Sequence, residues 1–275
     1  MMRSLWTAAS GMRAQQVNVD TIANNVANVN TAGYKTQQAS FKSLLYQNLQ
    51  SKSTNNAGDL KPVAAEVGLG SRVSAITSSF TQGELMATED PFAVAIEGEG
   101  FFQIRTQNGE LQYTRDGNFI VSPVADGNML CTSDGCPVLD QKGNPIVLPK
   151  GRVAADVQIG QDGTIGFPGT DGHVQQLTNK GYKVKFGLYQ FNNPAGLTKT
   201  GNNNYAVTVA SGEALAEEGN NRITPSKTHQ YYHEGSNVDV ANEMVNLIVA
   251  QRAYEMNSKA IQATDDMMQQ ANNLR

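Results

Sequence analysis

Apolar residues recur every seven positions at both ends of this 275-residue chain. Near the start, two such stripes lie three residues apart, made of Leu5, Met12, Val19 and Val26 and of Ala8, Gln15, Ile22 and Val29. Near the end, a stripe widened at its start by Met244 and Ile248 is made of Val240, Leu247, Tyr254, Ile261 and Met268. A period of seven is typical of helices that pair, so these stripes predict two paired helices, each about 40–50 Å long. Two helices packed on one globular core would leave the same pattern.

The expected start of the second helix lies just before its stripe. Ser236 and Asp239 have the spacing of a capping box, and Asn237 is an alternative cap. The first helix is unusual for its amides, because residues 21–35 hold several asparagines and no charge appears between Asp20 and Lys35. Asparagine is a poor helix former, since its side chain competes for backbone hydrogen bonds. Helix propensity alone therefore does not explain this choice of residues.

Between the two helices the apolar period changes from seven to two, which is typical of strands. The alternation is clearest at Tyr182, Val184, Phe186 and Leu188. Six Asn-Gly or Asp-Gly dipeptides, which favour tight hairpins, begin at Asn108, Asp116, Asp126, Asp134, Asp162 and Asp171. The sequence therefore predicts an α+β protein in which the N- and C-terminal helices pair as a coiled-coil stalk and the middle domain is β-rich and antiparallel.

Three divisions of the chain follow from these patterns. The paired helices are expected at residues 1–35 and 236–275, an intermediate segment at residues 36–65, and the β-rich outer domain at residues 66–235. The intermediate segment begins with amphipathic sequence, whose apolar residues are Phe41, Leu44, Leu45 and Leu49. It continues as a polar linker or long loop at residues 47–61.

Composition restricts the classes of function. A formal net charge of −4 argues against a nucleic-acid partner, which usually requires a basic surface. Charged residues make up 17% of the chain, which is below the roughly 25% of ordinary domains and suits a surface largely covered by neighbouring molecules. A solvated, β-rich secreted domain would have a similar composition. The sequence has neither a signal-peptide core nor a membrane-spanning stretch, which by itself predicts a cytosolic protein without membrane insertion.

Residues with catalytic or metal-binding chemistry are few. Cys131 and Cys136 flank a turn-rich stretch and could form a disulfide or remain two buried thiols, while the histidines His173, His229 and His233 lie too far away for a zinc site. The GEGFF stretch at residues 98–102 lacks the third glycine and the helix of a dinucleotide loop, so close packing or a bulge explains it better. The acidic residues at 89–90 and 217–218 could form a hydrolase pair, but adjacent surface carboxylates are common. We therefore expect no catalytic site, no cofactor and no metal.

Four stretches carry a resemblance to a known family. ANNVANVNTAGYK at residues 23–35, GEGFFQI at 98–104, YTRDGNF at 113–119 and the long string at 236–268 resemble, in the expected order, the signatures of the bacterial flagellar rod and hook (axial) proteins. Within that family, QRAYEMNSK at residues 251–259 and the short middle domain are most similar to the distal rod members. The stretch at residues 129–143, which bears both cysteines, is longer than the family leads one to expect.

The resemblance explains the amides of the first helix. In this family the terminal helices pack with those of neighbouring subunits around a narrow channel, where an unpaired charge is costly but an amide can donate and accept hydrogen bonds. Small residues let neighbouring helices approach, namely Ala8, Ala9, Gly11, Ala14, Ala23 and Ala27. The resemblance also implies that the helix exit is formed by Asn28, Asn30, Thr31, Gly33 and Tyr34, with Gly33 as a left-handed cap.

The function implied by the resemblance is structural and not enzymatic. Such a subunit forms a rigid, hollow, helical homopolymer that transmits motor torque to the hook. Its expected partners are copies of itself, proximal rod and hook-type proteins, ring proteins around the rod, and the flagellar export apparatus. The expected location is the basal body, reached by export without a cleaved signal peptide. The alternatives are another rod or hook-type subunit or a secreted β-rich adhesin, although an adhesin would need an exposed aromatic groove and the single tryptophan, Trp6, lies in the helix.

Overall fold

The computed structural model describes residues 2–50, 65–124, 127–149, 156–168, 174–179, 182–219 and 222–273. Most of the predicted polar linker, together with Asp126, Asp171 and His173, lies outside these ranges. The chain forms two compact units. Unit 1 contains residues 1–27, 37–78 and 239–275, and unit 2 contains residues 28–36 and 79–238. These units divide the chain differently from the three expected divisions, because two early strand pairs belong to the unit that holds the helices.

Unit 1 consists of two helices and two antiparallel strand pairs. The helices are α1 (Met2–Ala27) and α2 (Val240–Asn273). The strands are β1 (Gln37–Ser43), β2 (Tyr46–Gln50), β3 (Ala65–Gly68) and β4 (Ser71–Ser78), of which β1 pairs with β4 and β2 with β3. Residues 47–50 of the predicted polar linker thus belong to a strand. They obtain their ladder hydrogen bonds from β3, a partner that local composition does not reveal.

Unit 2 is an antiparallel β structure, as the alternation predicted. Its strands are β5 (Leu85–Ala87), β6 (Val94–Glu97), β7 (Phe101–Arg105), β8 (Leu111–Thr114), β9 (Ile120–Val124), β10 (Gly127–Cys131), β11 (Val147–Pro149), β12 (Gln158–Ile159), β13 (Ile165–Pro168), β14 (Val174–Gln176), β15 (Thr178–Asn179), β16 (Tyr182–Lys183), β17 (Leu188–Gln190), β18 (Thr198–Gly201), β19 (Asn204–Ala206), β20 (Leu215–Ala216), β21 (Lys227–Gln230) and β22 (Tyr232–Glu234). The largest sheet has the order β18-β19-β8-β7-β17-β20. The α+β fold with a β-rich middle is confirmed.

Two apolar clusters meet at strand β7. Successive side chains of a strand point to opposite faces, and the neighbours Phe101 and Phe102 are both fully buried. Phe102 belongs to the larger cluster, and Phe101 packs in an aromatic cluster with Tyr113, Phe191 and Tyr205. Just before the strand, a Cβ added to Gly98 would lie 2.7 Å from Ser226 Oγ. The G-x-G pattern therefore reflects close packing.

The two cysteines are free thiols, and both are buried. An isolated antiparallel bridge pairs Cys131 with Pro137, so that Cys136, one residue earlier, projects toward the other face of the hairpin. Cys136 accordingly belongs to the larger apolar cluster, of which Cys131 is not a member. A disulfide needs its two Cβ atoms to face each other, so this register favours two separate thiols. Burial raises the pKa of the Cys131 thiol.

Candidate functional site

The two terminal helices pack against each other in antiparallel register. Ser4 Oγ and Thr264 Oγ1 are 3.5 Å apart, and the Asn25 amide donates to Glu243 Oε1 at 3.2 Å. Between these points, a Cβ added to Gly11 would lie 2.9 Å from Asn257 Nδ2. Residues 4, 11 and 25 are separated by one and two heptads, and so are residues 264, 257 and 243. The helices therefore keep one register along their length.

The residues of the predicted stripes differ in burial. In α1, Ala8 and Ile22 are buried, whereas Leu5, Met12, Gln15, Val19 and Val26 are half-buried. Val29 is also half-buried, but it lies beyond the end of α1 at Ala27. In α2, Leu247, Ile261 and Met268 are half-buried, but others remain largely exposed, namely Val240, Met244, Ile248 and Tyr254. The second row of the α2 seam consists instead of Glu243, Ala250, Asn257 and Thr264, spaced by sevens. A search for apolar periodicity misses this row because three of its four members are polar.

The buried polar pair of the seam is Asn25 and Glu243, which lies near the C-terminal end of α1 and the N-terminal end of α2. Asn25 is 1% exposed, and its side chain also donates to Gln37 O at 2.8 Å and accepts from Gln37 N at 2.9 Å. Burial raises the pKa of the Glu243 carboxyl, the Asn25 hydrogen bond acts against that shift, and Asp239 adds to it. Ionisation of Glu243 therefore costs part of the stability of the helix pair.

We expect this cost to depend on pH. Because the folded-state pKa of Glu243 is raised, the folded chain binds the proton more tightly, and the cost disappears as the pH falls through that pKa. The Glu243→Gln variant should exceed the parent in free energy of unfolding at neutral pH, and the difference should shrink toward about pH 4. Urea unfolding of both proteins, followed by helix content at several pH values, measures this difference in the free energy of unfolding. A difference that does not change with pH would contradict this assignment.

The N-terminus of α2 differs from the expected capping box. Asp239 is itself the cap, since its Oδ1 accepts hydrogen bonds from Ala241 N at 2.9 Å and from Asn242 N at 3.3 Å. Asn237 does not cap the helix, because its Oδ1 accepts from Thr36 N at 2.7 Å and its amide donates to Thr81 O at 3.1 Å. The prediction that Ser236 or Asn237 begins the helix is therefore wrong by a few residues. The tertiary partner of Asn237, Thr36, is distant in sequence and could not be read locally.

The predicted helix exit forms a turn in unit 2. Thr31 N donates to Asn28 O at 3.2 Å, Asn30 is exposed, and Tyr34 is buried. Gly33 has φ +67°, and its N–H donates to Glu234 O at 2.8 Å. Asn203, which sequence reasoning missed, donates from its side chain to Ala32 O at 2.8 Å. The turn is thus held by residues far away in the sequence.

A fully buried ion cluster follows this turn. Lys35 Nζ lies 2.7 Å from Glu234 Oε1, and Arg115 lies 3.4 Å from Glu234 Oε2, with all three side chains at most 2% exposed. Lys35 also donates to Thr81 O at 2.8 Å, and Gly83 N donates to Glu234 Oε1 at 2.9 Å. Burial lowers the pKa values of Lys35 and Arg115, against the raising effect of Glu234. One carboxylate therefore compensates two buried cations drawn from separate stretches of chain.

Gly33 gives a prediction for this region. A side chain at φ +67° is strained, and a Cβ there would lie 2.8 Å from Asp116 N. We expect Gly33→Ala to lower the free energy of unfolding by more than the roughly 1–2 kcal/mol that the left-handed conformation alone costs. The matched control is Gly143→Ala, where φ is +77° but nothing lies within 4 Å of the added Cβ. Equal losses in the two variants would show that the close approach to Asp116 has no energetic effect.

The groups that could suggest an enzyme have structural partners. Glu217 borders an open cleft of about 380 Å³, but its Oε1 accepts from Ser226 Oγ at 2.7 Å and its Oε2 from Ser226 N at 2.8 Å. His229 lies 2.7 Å from Glu97 in an exposed pair. Within the described ranges, no group of three or more His, Cys, Asp or Glu residues could hold a metal ion. None of the described helices combines the length and apolar character needed to cross a membrane.

Three models of protein families match the chain. The Flagella basal body rod protein model matches residues 5–35, which include most of α1 and the helix exit. The Flagellar hook protein FlgE/F/G D1 domain model matches residues 95–167. The Flagellar basal body rod FlgEFG protein C-terminal model matches residues 229–274, which include α2. The matches thus contain both helices of the seam and much of the β structure.

Full-length relatives agree with the family models. The flagellar basal-body rod protein FlgG of Borreliella burgdorferi is 41% identical over 284 residues, which covers 100% of this chain and 99% of the relative. FlgG of Caulobacter vibrioides is 39% identical, and the flagellar hook-basal body complex protein FlhP of Bacillus subtilis is 33% identical, each with 100% of both chains covered. The chain therefore belongs to the flagellar rod protein family, and within that family to the distal rod proteins of the FlgG type.

Proposed function

We propose that this structural rod subunit assembles with copies of itself into a rigid, hollow, helical shaft that carries motor torque toward the hook. Membership of the distal rod family supports the structural role and the location in the flagellar basal body. In such a polymer, one surface of each copy contacts a different surface of the next. Heterologous contacts of this kind generate a helical tube when the rotation does not close.

The observation that carries the proposal is an exposed apolar face on α2. Four apolar side chains within two turns of α2 are each between 56% and 61% exposed, namely Met244, Val245, Ile248 and Val249. The opposite row of α2, which contains Glu243 and Ala250, already packs in the α1 seam. Contiguous apolar surface on a soluble helix marks an interaction site. A second copy is the occupant that a homopolymer provides.

A subunit of the distal rod would also contact other proteins of the flagellum. We propose contacts with proximal rod and hook-type proteins at the two ends of the shaft, and with ring proteins around it. The similarity to both rod and hook-basal body proteins supports partners of this type. We also propose that the subunit reaches the basal body through the flagellar export apparatus without a cleaved signal peptide. The subunit acts by assembly and has no catalytic role.

Electron microscopy of basal bodies tests the proposed function. A strain that lacks this chain should produce basal bodies that end at the proximal rod, without a distal shaft or a hook. Expression of the chain from a plasmid should restore both structures. The matched control is a strain that lacks a hook subunit, which should keep the distal shaft. Complete distal shafts in the first strain would overturn the proposal.

A further inference from the structure

The seam between α1 and α2 has a polar contact near each end, and these contacts have a physical consequence. A seam made only of apolar residues tolerates slippage by one heptad, because apolar rows still meet apolar rows. Polar layers remove that tolerance, since a slipped pairing leaves a buried donor or acceptor without its partner. The described seam has polar contacts at Ser4–Thr264 and Asn25–Glu243, and a close Gly11–Asn257 approach between them.

We propose that the buried pair Asn25–Glu243 sets the register of the two terminal helices and is a specificity determinant of the subunit. Glu243 is 9% exposed and Asn25 is 1% exposed, so both lose most of their contact with water. The hydrogen bond between them compensates part of that loss. Replacement of such a pair by apolar residues often leaves stability unchanged, and its value then lies in the single arrangement that it permits.

A slip by one heptad destroys the pair in either direction. If α2 moves so that Asn25 faces Ala250, then Glu243 faces a position beyond Ala27, where α1 has ended. If α2 moves the other way, Glu243 faces Asn18, and Asn25 faces residue 236, which precedes the start of α2 at Val240. Both slipped pairings bury at least one polar side chain without the partner that it has in the observed register.

Asn25 cannot easily turn to another partner. Its Oδ1 accepts from Gln37 N at 2.9 Å while its amide donates to Gln37 O at 2.8 Å, so strand β1 fixes the orientation of the side chain. The Asn25 amide is therefore aimed at a single point on α2. Gly11 adds a steric condition, because an added Cβ would come within 2.9 Å of Asn257 Nδ2.

Register also decides where along α1 the exposed face of α2 lies. The observed register leaves Ile248 and Val249 exposed, whereas a slipped helix would shift these residues along α1 by about 10 Å, at 1.5 Å per residue. This consequence rests on the proposed function, in which that exposed face contacts a second copy. The register itself can be measured within one chain, whether or not the chain polymerises.

Engineered cysteine pairs test the proposal in the full chain, with Cys131 and Cys136 replaced by serine. Ser4→Cys with Thr264→Cys reports the observed register, because the parent oxygens are 3.5 Å apart. Ser4→Cys with Ala271→Cys reports a slip of one heptad. Each pair is placed in the parent chain, in the Asn25→Leu/Glu243→Leu double variant, and in the Glu243→Gln control, which keeps hydrogen-bonding capacity. Intramolecular disulfides are quantified after mild oxidation, and helix content is measured by circular dichroism.

The parent and the Glu243→Gln control should form the disulfide of the observed register almost alone. In the double leucine variant, helix content should persist while the slipped disulfide increases about tenfold, as expected when a buried polar mismatch no longer penalises the slip. A double variant that forms only the first disulfide would overturn the proposal. Loss of both disulfides together with helix content would also overturn it, because the pair would then be required for stability. A parent chain with the observed register that never polymerises would count against the proposed function alone.

Discussion

The Ile248→Asp variant should fold as the parent chain does and form no polymer. Ile248 is 57% exposed in the subunit, so the new carboxylate remains in water until a second copy approaches. Assembly would then bury an unpaired charge, which costs several kcal/mol per contact and is repeated at every subunit. Motility should be lost, and no distal shaft should appear in electron micrographs. Circular dichroism and thermal unfolding of the purified subunit should match the parent.

Ile120 provides a matched control for this experiment. It lies on strand β9 of unit 2 with an exposed fraction of 55%, so Ile120→Asp makes the same change at the same exposure outside the helices. We expect this control to swim. In contrast, Leu247→Asp places the charge in the seam with α1 and should reduce helix content in the isolated subunit. A motile Ile248→Asp strain would show that the exposed face of α2 is not an assembly contact.

Removal of the Glu234 carboxylate should produce the largest loss of folding stability. Glu234→Ala leaves Lys35 and Arg115 buried without their shared counter-ion, and breaking a buried ion pair in this way costs about 3–5 kcal/mol. For a domain of this size, that loss lowers the midpoint of thermal unfolding by about 6–20 °C. Differential scanning calorimetry of the purified subunit measures the shift.

A second substitution separates the charge effect from loss of packing. Adding Lys35→Met to Glu234→Ala removes one of the two stranded cations, so the double variant should recover part of the lost stability. Glu97→Gln is the exposed control, because Glu97 pairs with the partly exposed His229 at the surface, and the unfolding midpoint of this variant should not change measurably. A double variant less stable than Glu234→Ala would show that Lys35 stabilises the fold by contacts other than the ion pair.

Much of the architecture could be predicted from periodicity. The change from a period of seven to a period of two located the helices and the β structure, because both patterns arise from local geometry and burial. The polar contacts of the seam were not predicted, because the stripes were defined by apolar residues and Glu243, Asn257 and Thr264 are polar. The N-cap of α2 is Asp239 and not the predicted Ser236 or Asn237. The Asn237 side chain bonds to Thr36 instead of to the helix. Such partners are distant in sequence and become visible only when the chain is folded.

The buried cluster of Lys35, Arg115 and Glu234 was missed for a similar reason. Each residue alone looks like an ordinary surface charge, since lysine, arginine and glutamate are almost never fully buried unless paired. Arg115 and Glu234 are separated by 119 positions in the chain, so no local pattern connects them. Lys35 did mark the end of the uncharged asparagine-rich stretch. That signal indicated an exit from the helix but not an ion pair.

The antiparallel helix pair joins residues from nearly opposite ends of the chain, because Ser4 and Thr264 are separated by 260 positions. Contacts of such high contact order form late, since the whole intervening chain must be present before the loop can close. A chain that emerges from a ribosome or a pore in sequence order must therefore hold α1 without its partner until the last residues arrive. The last two turns of α1, residues 20–27, are rich in polar and small residues, which limits the apolar surface that this part exposes before α2 arrives. The amides that lower the stability of α1 as an isolated helix thus also reduce its tendency to aggregate before it pairs with α2.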